Sequence, residues 1–170
     1  MLYLGLSVQS VPTYQAVCAV VPVVLPTDVL TMFGSATKTV SILNIWINGV
    51  QATGAQVQFA LIRRSSPNSG GTALAVAPTA QDQSDPAATA AILNYSANPV
   101  TSGNSVGNIK ADRSFVPNAS SATFAEGLHW CFNAGKNIVL RGVNQGIALS
   151  LGGVSMVGGT LNVTIEFSEY

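Results

Sequence analysis

Charge is what this sequence has least of. Seven Lys/Arg and seven Asp/Glu are spread over 170 residues, 8% of the chain, where an ordinary soluble domain carries about 25%. The first 27 residues, MLYLGLSVQSVPTYQAVCAVVPVVLPT, hold no charged side chain. A free monomer is normally kept dispersed by a charged, interspersed surface. This chain lacks the residues to build one, so part of its surface is expected to lie under other protein. Gly, Ser, Thr and Asn offer the other route, a neutral but wettable surface.

Other absences narrow the function further. The formal net charge is zero and Arg63-Arg64 is the only adjacent basic pair. A protein that tracks a phosphate backbone needs many clustered cations, so direct nucleic-acid contact is not expected. The pair reads as a strand end in solvent. Long apolar runs are missing as well. The stretch 14–25, YQAVCAVVPVVL, is too short for a membrane span. Pro22 and Pro26 interrupt or flank it, and no basic residue precedes it as a signal peptide requires. No membrane partner and no signal peptide are expected, which places synthesis in the cytoplasm.

Chemistry-bearing residues are scarce. Cys18 and Cys131 permit one disulfide without demanding it, and their apolar surroundings favour buried free thiols. His129 is the single histidine. On a strand it shares a face with Cys131, while Leu128, Trp130 and Phe132 share the other, but a zinc site needs further ligands that nothing supplies. There is no GxSxG elbow, and GGVSMVGG at 152–159 lacks the GK[ST] of a P-loop. The sequons at Asn94, Asn118 and Asn162 mean little without secretion. No catalytic residue, cofactor or metal is assigned, and an enzyme is not expected.

What is present is a period of two. Leu161, Val163, Ile165 and Phe167 alternate with Asn162, Thr164, Glu166 and Ser168, the clearest strand in the chain. In 40–48, Val40, Ile42, Asn44, Trp46 and Asn48 fall on one face, with Ser41, Leu43, Ile45 and Ile47 on the other. Asn48-Gly49 then reads as a turn into 55–64, AQVQFALIRR, giving an antiparallel pair joined across NGVQATG. Shorter strand-like runs follow at 91–96, 106–116, 128–133, 137–141 and 146–151. Residues 65–91, rich in small residues with three prolines and Gly-Gly, read as an extended loop or covering arm, with room for a short helix over 85–91. No sustained helical stripe occurs. The fold expected is all-β: an antiparallel two-sheet β-sandwich, most consistent with a jelly roll on strand count and long excursions. It spans 28–170, with residues 1–27 an uncharged arm or added strands. Composition alone does not separate a jelly roll from an immunoglobulin-like sandwich.

Scattered single charges are candidate anchors between subunits, since a charge buried in an interface is costly unless paired. Arg141 is the foremost, with Glu126 or Glu166 as its partner. Tyr14, Val20, Val21, Val23 and Leu25 are the candidate contact residues of the N-terminal segment. Trp46 and Trp130, set in apolar strands, are expected in the core.

Four stretches carry a resemblance: SATKTVSILNIWINGVQATGAQVQFALIRRSSPNSGG, DPAATAAILNYSANP, VGNIKADRSF and GKNIVLRGVNQGIALSLGG. Together they resemble small proteins encoded among the virion genes of tailed bacteriophages, over residues 33–170. The resemblance implies a β-sandwich virion component. Proteins of that kind include capsid cement or decoration proteins, often jelly rolls working as homotrimers on the major capsid protein at the surface of a virion assembled in the bacterial cytoplasm. No residue role carries over, and residues 1–27 lie outside it. If those residues are a cement arm, deleting 2–25 should leave the sandwich folded and weaken shell binding. Two alternatives stay open: a tail, fibre or head–tail junction protein, and a carbohydrate- or receptor-binding sandwich using exposed aromatics.

Overall fold

The clean alternation of the last strand organises the molecule. In the computed structural model, which describes residues 11–120, 127–132, 136–156 and 158–170, Leu161, Val163, Ile165 and Phe167 all point into the core. That strand, β12 (Thr160–Glu169), lies in mid-sheet between β1 (Thr13–Val20) and β3 (Thr39–Val50). The sheet continues from β1 to the short β6 (Thr79–Ala80). On its other side β3 pairs in series with β9 (Leu128–Cys131) and β10 (Ile138–Arg141). The facing sheet runs β5 (Thr72–Ala75), β7 (Ala91–Ala97), β2 (Asp28–Phe33), β11 (Gly146–Ser150), β4 (Ala55–Arg64), β8 (Ser105–Val116). The strands of both sheets pair antiparallel, and their inner faces enclose one apolar core. The all-β, two-sheet antiparallel expectation holds.

Three local readings are corrected. First, β3 and β4 do not pair. They sit in opposite sheets, and 51–54 cross between them, held by the buried Gln51 side chain donating to Val116 O at 3.2 Å. Asn48-Gly49 is not a turn: Gly49 sits within β3 opposite Leu161, where a Cβ would collide with the backbone of Thr160. A glycine demanded by close backbone approach mimics a hairpin signal. Second, the ladder register shifts between Glu166 and Phe167, leaving Leu43 as an extra residue on β3. This bulge turns Val40, Ile42, Ile45 and Ile47 all inward, while Asn44 and Trp46 lie on the outer face. Third, residues 85–91 form no helix. They hold no regular structure until β7 begins at Ala91, and Pro86 O accepts the Tyr14 hydroxyl at 2.8 Å.

Segment 65–91 contributes to both sheets. Its first part is tied back to β2, a strand that like β11 is buried along its whole length. A buried ion pair pins it there: Arg64 Nη2 to Asp28 Oδ1 at 2.7 Å, with Arg64 Nη1 donating to Gly103 O at 2.7 Å and Asn68 Nδ2 to Asp28 Oδ2 at 3.0 Å. Arg64 is therefore not a solvent-facing strand end. The chain then forms β5 and crosses at 76–78 to β6, tying the two sheets together along that side. On the opposite side β8 and β9/β10 are the outermost strands among the described residues.

Candidate functional site

The N-terminal contact residues divide in two. Tyr14 and Val20 are fully buried in the chain's own core, with the Tyr14 ring stacked on Phe167 at 5.4 Å, so both are withdrawn as contacts to a neighbour. The reason is their parity on β1: Tyr14, Ala16, Cys18 and Val20 face inward, leaving Val17 outside. Val21 and Leu25 are 63% and 61% exposed, Val23 is half-buried, and Val24, absent from the sequence-based set, is 78% exposed.

These residues form the β1–β2 connection, and it is held firmly. Asn98 Nδ2 donates to Leu25 O at 3.0 Å and Asn98 Oδ1 accepts Thr27 N–H at 3.1 Å. Gly153 N–H donates to Pro26 O at 2.8 Å, bringing the exposed Val154 alongside. Leu25 has φ +52°, the only positive φ outside glycine among the described residues. Such backbone costs a bulky residue about 1–2 kcal/mol and persists only where the surroundings enforce it. Here the enforcement turns an apolar side chain outward into a crest with Val21 and Val24.

A second feature lies on the open side of the sandwich. A cleft of about 590 Å³ runs between β8 and β10, lined by Arg63, Lys136 and Arg141 together with Asn108 and Asn137 and, among the described residues, by no acid. Arg63 spans it, donating from Nη2 to Val139 O at 2.7 Å. It is half-buried rather than a free strand end, and burial lowers its pKa from the usual arginine value. Arg141 is exposed here and does not meet Glu166, and Glu126 lies outside the described residues.

Glu166 instead belongs to a polar line across the outer face of the other sheet. Gln81 Nε2 donates to Glu166 Oε1 at 2.9 Å, Asn44 Nδ2 to Glu166 Oε2 at 2.6 Å, and Asn44 Oδ1 meets His129 Nε2 at 3.1 Å. Trp46 stacks flat on His129, centroids 4.9 Å apart. Trp46 is thus on the surface and not in the core, whereas Trp130 is buried, its Nε1–H donating to Asp112 Oδ2 at 2.6 Å. The shared face of His129 and Cys131 read from their spacing is present. Among the described residues no cluster of His, Cys, Asp and Glu is arranged to hold a metal ion.

Both cysteines are free thiols, as expected, but they are not both buried. Cys131 is exposed on the outer face, and Cys18 points inward from β1. Burial pushes the Cys18 thiol up to about 11. Since the thiolate is the reacting form, about one Cys18 in a thousand is ionised at pH 8. Titration with a chromogenic disulfide reagent should show one thiol reacting at once, lost in Cys131→Ser, and a second reacting only on denaturation. Two fast thiols would contradict the placement of Cys18.

No protein-family model, no curated protein sequence and no solved structure matches this chain.

Proposed function

We propose that this chain is a structural protein of a tailed-bacteriophage virion, a capsid decoration or cement protein that reinforces the head by surface contact with the major capsid protein. The fold we propose with it is a jelly roll. Setting aside β5, β6 and β7 as an insertion and counting β9/β10 as one, the chain changes sheet at every step except β4 to β8, giving β1-β12-β3-β9/β10 opposite β2-β11-β4-β8. Two Greek keys rolled together produce that order, an architecture found in viral shells and lectins.

The observation that carries the functional reading is the crest at Val21, Val24 and Leu25. An apolar side chain is held outward at a conformational cost, in an N-terminal segment without charged side chains. Strain at an exposed apolar residue serves contact with another surface better than it serves the monomer. At about 25 cal/mol per Å², a few such side chains repeated over a shell lattice add up to firm attachment.

The test is co-sedimentation of the purified protein with empty head shells of the encoding phage, freed of the protein. Wild type should bind saturably, and Val24→Asp with Leu25→Asp should weaken binding at least tenfold with the melting profile retained. Leu25→Gly, which relieves the backbone, should fold at least as stably and still bind more weakly. Shell binding indifferent to all three substitutions would overturn the reading.

A sugar-binding sandwich is the second reading, favoured by Trp46 on the outer face beside Asn44, Glu166 and Gln81. Its signature is glycan binding by the isolated protein, lost in Trp46→Ala without unfolding.

A further inference from the structure

The unpaired cations of this molecule gather on one side, where the one described acid, Asp112 on β8, accepts the Trp130 Nε1–H. Two buried or half-buried ion pairs, Arg64–Asp28 and Lys38–Glu169, neutralise each other. The five remaining cations, Arg63, Lys110, Arg113, Lys136 and Arg141, lie on or beside β4, β8 and β10, and among the described residues none has an ion-pair partner. They gather where β8 and β10 leave both sheets open. Asp82 and Asp85 sit at the other lateral side, just after β6. From β10 to β6 is five strands, about 19 Å at the usual spacing.

We propose that copies of this chain associate head to tail, the Asp82–Asp85 turn of one copy entering the Arg63/Lys136/Arg141 cleft of the next. Opposite charge on opposite sides makes the two patches complementary to each other and not to themselves. A two-fold dimer through either patch would set like charges together, whereas a heterologous contact sets cation against acid and closes into a ring when the rotation allows. The turn is preorganised, which lowers the ordering cost of binding. Asp85 N–H donates to Asp82 O at 3.0 Å, and the Ser84 hydroxyl donates to Asp82 Oδ1 at 2.7 Å. The cleft gives the acids something to gain. Arg63 is partly withdrawn from water and, among the described residues, compensated by the dipoles of Val139 O and Gln145 Oε1. This association is independent of whether the crest binds a shell.

Light scattering during gel filtration tests it with charge swaps on the full chain. Wild type should run as a multiple of the protomer mass at roughly 100 μM, in the range of micromolar contacts. It should dissociate at least tenfold more readily as NaCl rises from about 0.1 M to about 1 M, where the screening length falls from about 10 Å to about 3 Å. Lys136→Glu with Arg141→Glu should give monomer, as should Asp82→Lys with Asp85→Lys. All four together should restore the oligomer, because every contact is again complementary whatever the ring number. Arg63 is left in place because it ties the sheets. If the reversals perturb the β-sheet circular dichroism, Lys136→Gln with Arg141→Gln replaces the first pair. A wild-type monomer, a double variant that keeps the oligomer, or a fourfold swap that stays monomeric would each overturn the proposal.

Discussion

A chain lacking residues 2–25 should fail to fold. Sequence alone left this segment open as a removable arm, but residues 13–20 are a full strand, in unbroken register with β12 from Thr13–Ser168 to Val20–Leu161. The deletion removes Tyr14, Ala16 and Val20 from the core, takes the stacking partner from Phe167, and strips an eight-residue ladder from β12. Truncating one buried aromatic to Ala already costs about 3–5 kcal/mol, and total stability is only about 5–15 kcal/mol. The expected result is loss of the cooperative thermal transition and of dispersed amide resonances. Tyr14→Ala should fold but lose about 3–5 kcal/mol in urea denaturation. A truncated chain that melts like the full one would show that β1 is dispensable.

The second large effect concerns the segment tied to β2 through Asp28. Asp28→Ala should destabilise by about 3–5 kcal/mol, the range for breaking a buried ion pair and leaving its partner uncompensated. Arg64 would keep its bond to Gly103 O but lose its counterion, and Asn68 Nδ2 would lose its acceptor. Hydrogen exchange at Ser69 and Thr101, which bond to each other through their backbones, should accelerate with it. Replacing both Asp28 and Arg64 by apolar residues of similar volume should cost much less than the two single changes together. An Asp28→Ala cost below about 1 kcal/mol would mean that packing and not the ion pair holds this segment.

Residues whose alternation was clean were legible: Leu161–Phe167 gave both the strand and its buried face, and His129 and Cys131 share the face that their spacing implied. Legibility failed where a local signal had a second cause. Asn48-Gly49 has the composition of a hairpin turn, but Gly49 answers to backbone crowding against Thr160. Strict alternation through 40–48 broke at the bulge on Leu43, and Trp46 was misplaced with it. In β1 the outer face is polar only at Thr13 and Gln15 and turns apolar at Val17 and Ala19, so the alternation that buries Tyr14 and Val20 was blurred. The exposed part of the crest, Val21 and Leu25, was legible because prolines and the end of the strand release it from the core. The cationic cleft was not, because Arg63 and Arg141 meet only through the edge positions of β8 and β10. The shortage of charge in the sequence goes with a gathering of the unpaired cations on one side of the fold.

The most direct measurement is a cryo-electron-microscopy reconstruction of the native particle with this chain located in it. The account predicts density on the outside of the head at a fixed ratio to the major capsid protein, with Val24 and Leu25 turned toward the shell. Absence from the head, or attachment that leaves the crest facing solvent, would contradict it.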